Sequence, residues 1–249
     1  MGRPEAEVRF TAELRMFLAP RHRAGRVTVA CDGLSSLGHV VESLGVPLPE
    51  TGVLTVNGQQ AVASYRLAAE DVAGIEAVRR PQPLPSPRFV LDVHLGTLAR
   101  WLRLAGVDTA YANDADDDAL IEQANATGRV LLTRDRGLLC RRLLWLGAYV
   151  RGDLPDEQLR DVLNRFAPPL APWTRCTACN GRLAPASKAD VEPLLEAGTR
   201  RTYQAFSRCL SCGRVYWRGA HSQRLQQVVD SALAAVAASR DNLSRERPA

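Results

Sequence analysis

No run of apolar residues in this chain approaches the ~20 that a bilayer-spanning helix requires, so membrane-spanning helices drop out of the possible functions at once. The opening Met1-Gly2-Arg3-Pro4-Glu5 has neither an apolar stretch nor a small-residue cleavage site. No signal peptide is therefore expected, and the expected location is the cytoplasm. Internal repeats are missing too. Cysteine is scarce, with six in 249 residues, two of them isolated and four set in two C-x-x-C pairs. In a cytosolic chain that spacing argues against a disulfide scaffold and for metal binding. Lysine is almost absent, since Lys188 is the single lysine among 32 basic residues.

What remains has the composition of a folded protein, 46% hydrophobic and 24% charged, long enough for two small domains or one large one. The formal charge of +5 is unevenly spread. Between Trp173 and Leu225 nine basic residues stand against three acids, a local excess of +6, so the rest of the chain is close to neutral. An arginine-rich composition explains the residue type but not the clustering. A polyanion such as nucleic acid is expected to meet the protein in this cysteine-bearing region.

Two proline-rich stretches, Arg80–Pro87 and Ala167–Pro172, divide the chain. The first has proline at every second position, which favours an extended, semi-rigid spacer. The expected domains are residues 1–80, a linker 81–87, residues 88–167, and residues 168–240.

In the first domain Val8–Leu14 and Arg26–Cys31 read as two strands. Ser35 or Ser36 can cap a helix reaching Leu44, and Val53–Val56 and Val72–Val78 are further strands. Asn57-Gly58 is a hairpin-turn signal. This order resembles the ubiquitin-like β-grasp fold, close to the small sulphur-carrier proteins. Those carriers end in a diglycine, whereas here Val78-Arg79-Arg80-Pro81 runs on into the spacer. The expectation is a docking or accessory domain, or a passive fold, whose removal leaves the chemistry unchanged.

Residues 88–167 alternate short apolar runs with helical ones, which argues for a parallel α/β sheet. The expected strands are Phe89–Leu91, Thr109–Ala112, Val130–Thr133 and Ala148–Val150. Leu95, Leu98, Leu102 and Ala105 mark one face of a first helix. Asp117–Thr127 and Leu138–Leu146 are the next two helices, and Leu159, Val162, Leu163 and Phe166 mark the face of a fourth. Ligands of such sheets bind beyond the carboxyl ends of the strands. Asp92, Asp114, Asp135 and Asp153 each lie at or just past one of those ends. Converging carboxylates repel unless a cation lies between them, and magnesium or manganese suits an oxygen-rich set. Two such ions can activate water and bind a scissile phosphate. Asp116 and Asp118 read better as helix-capping and first-turn acids, and Asp153 fits either role. Asp92 and Asp135 end apolar strands, where an uncompensated carboxylate is costly.

Phe89-Val90-Leu91-Asp92-Val93 with Leu95–Leu104 resembles the opening of the PIN-like ribonuclease family named after the Mut-seven C-terminal region. Asp114-Ala115-Asp116-Asp117 and Val130–Gly137 are similar to its next two blocks. Cys209-Leu210-Ser211-Cys212-Gly213-Arg214-Val215-Tyr216-Trp217, with Gly219 and His221, is similar to its zinc-ribbon tail. The resemblance implies an α/β, PIN-like parallel sheet flanked by helices, preceded by the β-grasp domain and followed by a four-cysteine zinc ribbon. It implies hydrolysis of RNA phosphodiesters, with Asp92, Asp117 and Asp135 holding catalytic magnesium or manganese. Thr133 and Arg134 would orient Asp135 or meet phosphate, and Asp153 would be a fourth acid. His94, in the position after Asp92-Val93, departs from the pattern and is given no role.

Cys176, Cys179, Cys209 and Cys212 form two knuckles, a ligand set that closes a structural zinc site. The insertion between them has room for a helix around Ala189–Ala197, and Gly181 and Gly213 are read as easing the two turns. Ser222–Ala238 reads as a helix packed on the body. Arg200, Arg201, Arg208 and Arg214 are the candidate RNA contacts. Tyr216 and Trp217 either stack bases or belong to the small domain's core, which is where Phe206 is placed. The expected partner is RNA, with tRNA and ribosome-associated RNA among the candidates, and a protein could meet the N-terminal domain. The rival class is a catalytically inactive zinc-ribbon adaptor binding RNA or the ribosome. A phospho-acceptor chemistry on Asp92 is disfavoured because position 94 is His and not Asp.

Overall fold

The structure, a computed structural model, describes residues 4–84, 86–219 and 222–245. Pro85 of the spacer and His221 of the tail motif lie outside these residues. The chain divides into two compact units, residues 1–79 with 133–149 and residues 80–132 with 150–249.

In the first unit, β1 (Glu5–Phe10) alternates buried Ala6, Val8 and Phe10 with outward Glu5 and Arg9, the period-2 pattern of a half-buried strand. It pairs antiparallel with β2 (Arg26–Ala30). The strand expected to reach Leu14 stops at Phe10, and Ala12–Phe17 coils into 3-10 turns that bury Leu14 and Phe17. α1 (Leu37–Ser43) starts where Ser36 Oγ accepts the His39 N–H. β3 (Thr51–Val56) and β4 (Gln59–Ala61) form the expected hairpin, with Asn57 and Gly58 both at positive φ. β5 (Val72–Ala77) then inserts parallel to β1, completing the order β2-β1-β5-β3-β4 of a β-grasp sheet. Its core gathers Leu14, Leu37, Val41, Val46 and Ile75, each at most 1% exposed. Every such aliphatic side chain contributes about 1.5–3 kcal/mol.

The α/β part carries β6 (Phe89–Leu91), α2 (Gly96–Leu104), β7 (Thr109–Tyr111), α3 (Asp117–Thr127), β8 (Val130–Thr133), α4 (Arg136–Leu139), β9 (Gly147–Tyr149) and α5 (Pro155–Phe166). Its strands make a parallel four-stranded sheet in the order β7-β6-β8-β9. β6 and the first three residues of β8 are buried without alternation, as strands covered on both faces are. Leu95, Leu98, Leu102 and Ala105 are all buried, as their spacing requires. The helix expected over Leu138–Leu146 is a correction: α4 is one turn ending at Leu139. Only Leu138 and Leu139 are buried there, while Leu143 and Trp145 are 69% and 75% exposed, so no apolar stripe holds a longer helix.

The segment Thr133–Tyr149 is packed with the β-grasp domain. Tyr149 lies against its core, ring to ring with Phe17 at 5.1 Å. Arg136 Nη1 donates to the Phe17 carbonyl at 2.8 Å. The N-terminal domain and this segment therefore form one compact unit. The proline-rich stretch is tied to α5, because Arg80 pairs with Asp161 and Gln82 exchanges two hydrogen bonds with Arg165.

Beyond α5, β10 (Leu183–Ala186), α6 (Lys188–Val191), α7 (Ala197–Thr202), β11 (Phe206–Cys209) and β12 (Val215–Tyr216) form a small antiparallel ribbon in the order β10-β11-β12. The single helix expected around Ala189–Ala197 is instead α6, a 3-10 turn over Glu192–Leu194 and α7. Pro193 lacks the amide that a continuous helix needs. α8 (Ser222–Arg245) extends past the expected Ala238. It packs on α5 and α2 through Val229, Ala232 and Val236, with Ser239 Oγ bonded to Asn164 Oδ1.

Candidate functional site

Leu91, the last residue of β6, is the register partner of Leu132 in β8. Asp92 comes first. Its N–H donates to the Leu132 carbonyl at 3.0 Å, and the residue is only 8% exposed. On the other strand Thr133 is fully buried, and its Oγ1 accepts the Asp135 N–H at 2.8 Å. Asp135 then caps α4, its Oδ1 accepting from the Gly137 and Leu138 amides at 2.6 and 3.3 Å. Arg134 is exposed.

Asp116 caps α3 by accepting the Ala119 N–H at 2.8 Å, which leaves Asp117 in the exposed first turn for another role. Asp114 is exposed. Asp153 is exposed too, and its N–H is taken by Glu157 Oε2 at 3.0 Å, so Glu157 acts as the capping acid of α5. His94 lies in the 3-10 turn after Asp92. Among the described residues no three carboxylates come within 4.8 Å of one another, whereas the four ribbon cysteines do.

Those cysteines are built by two matching turns. Asn180 N donates to the Cys176 carbonyl and Gly213 N to the Cys209 carbonyl, at 2.9 and 3.0 Å. The amides of Cys179 and Cys212 point at the sulfurs of Cys176 and Cys209 at 3.4 and 3.5 Å. The left-handed residue is Asn180 in the first knuckle and Gly213 in the second, with φ of 69° and 72°. Gly181 thus serves a different purpose from the one expected: a Cβ there would stand 2.5 Å from Ser211 Oγ and 2.9 Å from Cys209 Sγ. Cys176 and Cys212 Sγ are 3.7 Å apart, Cys179 and Cys209 3.5 Å. A tetrahedron with Zn–S of ~2.3 Å has edges of roughly 3.8 Å, so the donor set fits one zinc ion.

Burial pushes the Cys176 thiol up, but hydrogen bonds from the Tyr216 hydroxyl and from the Cys179 and Ala178 amides outweigh it and bring it to about 6. Burial and the neighbouring sulfurs push Cys179 up to about 12. Such a set gives up protons when a metal enters. Tyr216 is thereby placed: its hydroxyl is 2.9 Å from Cys176 Sγ, a partner of the knuckle. Trp217 is 42% exposed and Phe206 is buried, the latter as expected. Arg200, Arg201, Arg208 and Arg214 are all exposed, although Arg208 Nε also holds the Gly213 carbonyl at 3.2 Å.

Comparison with known proteins agrees with this architecture. Residues 87–229 match the family described as the Mut7-C RNAse domain, more than half of the chain. The chain belongs to the Mut7-C RNase family. Residues 3–82 match the companion family described as Mut7-C ubiquitin. Two crystal structures of small archaeal modifier protein 1 from Haloferax volcanii are also similar, each at 19% identity. They cover 30% and 28% of this chain and 97% and 91% of their own, with TM-scores of 0.24 and 0.23. No curated protein matches the chain.

In this Mut7-C chain the residues that sequence reasoning missed are those joining the first knuckle to β7. Arg103, 3% exposed, donates to the carbonyls of Thr109, Thr177 and Ala178. Asn180 Oδ1 accepts the Thr109 N–H while its Nδ2 donates to Asp108, which also pairs with Arg129 and Arg175. Burial raises the Asp108 carboxyl, but the Arg129 and Asn180 hydrogen bonds and the two arginine charges leave it below the usual range. The one available signal was an arginine lodged between Leu102 and Leu104 on the apolar stretch of α2.

Proposed function

We propose that the protein is a metal-dependent ribonuclease that hydrolyses RNA phosphodiester bonds at the carboxyl end of the parallel sheet. Membership of the Mut7-C RNase family and the buried, strand-terminal Asp92 carry this reading. Asp92, Asp117 and Asp135 supply hard oxygen donors. Magnesium needs only one or two carboxylates beside water and substrate phosphate, so three gathered acids are not required. The ion would supply charge neutralisation at the scissile phosphate and a more acidic attacking water. Thr133 fixes the backbone of Asp135 and thereby its carboxylate, and exposed Arg134 meets a phosphate oxygen. Asp153 is the weakest member, being exposed with its amide already engaged by Glu157. In the ribbon, zinc on Cys176, Cys179, Cys209 and Cys212 is structural, since four thiolates leave no open position. Arg200, Arg201, Arg208 and Arg214, with Trp217 and Tyr216 behind them, form the RNA face.

The test is cleavage of total RNA with magnesium or manganese by the wild type, Asp92→Asn and Asp135→Asn. The expected result is metal-dependent cleavage that falls by at least about 100-fold in either variant, with RNA binding retained. Native-rate cleavage by Asp135→Asn would place the site elsewhere. One observation favours a second reading, an inactive RNA-binding adaptor: among the described residues only the cysteines gather into a metal-sized group. Metal-independent binding without any cleavage would select it.

A further inference from the structure

A cavity of about 480 Å³ opens between the ribbon and the segment that enters it. Its walls include Trp173, Tyr203, Phe206, Tyr216 and Trp217, five of the chain's aromatic side chains, together with Arg175 and Arg218 and no carboxylate. We propose that this cavity binds one unstacked nucleobase of single-stranded RNA, seated against Trp217 and Tyr203, with Arg218 at the mouth taking the adjoining phosphate. The inference rests on the RNA-binding reading of the ribbon and names the part of the substrate that the ribbon holds.

Three observations select a base over another occupant. The first is shape: the volume lies within the ~300–1,000 Å³ of small-ligand sites, and the buried floor of Leu104 and Phe206 is apolar beneath flat rings. The second is charge. The Arg175 guanidinium is already engaged by Asp108 at 3.3 Å, so the charge left to recruit a ligand is Arg218, exposed and lying over the Trp173 ring at 5.1 Å. A cation at the rim of an aromatic slot suits a planar ring carried on a phosphodiester chain. The third is surroundings. Arg200 and Arg201 lie in the last turn of α7, next to Thr202 and Tyr203 of the cavity wall, so a strand whose base enters the slot has its backbone beside two more exposed cations.

The slot is also held open by the knuckle. Tyr216 is fixed through its hydroxyl to Cys176 Sγ, and Trp217 follows it directly, so the ring that caps the base is carried on a rigid element. Stacking on such preorganised rings is tolerant of base identity, because every base offers a π face. The cavity should therefore select single-stranded over duplex RNA without selecting a sequence.

The experiment uses the full-length, zinc-loaded protein without added magnesium or manganese. Binding of a 12-nucleotide oligouridylate is compared with that of an abasic ribose-phosphate chain of equal length, by anisotropy at low salt. The uridylate is expected to bind about 5- to 100-fold more tightly, the range one stacked base provides. It should also quench tryptophan emission, because two of the chain's four tryptophans line the slot. Trp217→Ala and, independently, Tyr203→Ala should bring the uridylate down to the abasic level. Equal binding of the two chains by the wild type would overturn the base pocket and leave the RNA-binding reading standing. If neither chain binds, both fall. Because the wild-type comparison needs no substitution, a variant that misfolds does not protect the proposal.

Discussion

Glu50, fully buried, accepts the backbone N–H of Tyr149 through Oε1 at 2.8 Å, so a side chain of the β-grasp domain ends the hydrogen-bond ladder of a strand of the α/β domain. This bond, the Arg136–Phe17 bond and the Phe17–Tyr149 ring contact put the segment bearing Asp135 into one compact unit with the N-terminal domain. The expectation that removing the N-terminal domain leaves the chemistry unchanged is tested by a truncation that takes these contacts away.

Glu50→Ala leaves the Tyr149 amide without this acceptor and is expected to cost about 1–3 kcal/mol. Glu50→Gln keeps an acceptor oxygen and should cost less. Hydrogen exchange at the Tyr149 amide checks both, and unchanged protection in Glu50→Ala would refute the role. Removing residues 1–79 should disorder Thr133–Tyr149 and lower cleavage on the order of 100-fold, the scale of a misplaced reacting group. Full activity in the truncated chain would show that the segment holds itself.

Asp135 has a structural task besides its proposed chemical one, and the two can be separated. As the N-cap of α4 it should be replaceable by Asn at little cost in stability, whereas Ala should lose about 1 kcal/mol. Both substitutions should remove cleavage. Thermal melts beside activity measurements test this, and an Asp135→Asn protein that is as destabilised as Asp135→Ala would mean that its lost activity reports folding.

Freshly purified protein should carry about one zinc per chain, and Cys176→Ser or Cys212→Ser should abolish tight binding. The effect should spread beyond the ribbon. Arg103 and Asn180 join the first knuckle to Thr109, so chelation is expected to speed hydrogen exchange in Thr109–Tyr111. Elemental analysis without zinc would refute the first statement, and unchanged exchange in β7 after chelation the second.

The latch around Asp108 predicts an acid-sensitive step. Its folded pKa is held below the ordinary carboxylate value of ~3.9, so its contribution is complete above that value and is lost as the pH falls through the lower folded one. Asp108→Asn, which loses the pairs with Arg129 and Arg175, should cost about 1–3 kcal/mol at neutral pH and remove that part of the acid slope. Protons also displace zinc from thiolates, so melts of the two proteins between pH 5 and pH 3, on the order of these carboxylate values, should be compared at matched zinc content. An identical slope in both would refute the assignment.

The sequence by itself determined most of the elements and the four-cysteine cluster. Alternation in Ala6-Glu7-Val8-Arg9-Phe10, the Asn57-Gly58 turn, the apolar runs of β6 and β8 and the two cysteine pairs are each set by neighbours a few residues away. Local geometry is enough to read them. Where a helix depends on what buries it, the same reasoning stops short, as at Leu138–Leu146, where the apolar side chains past Leu139 find no core. Tertiary structure alone decided the rest. Glu50 meets Tyr149, Arg103 meets the Thr177 and Ala178 carbonyls, and Asp108 meets Asn180 across separations of 70 residues or more. Nothing local marks such partners, because a buried polar group is satisfied by whatever the folded chain brings to it, and its own neighbours in sequence carry no record of which group that is.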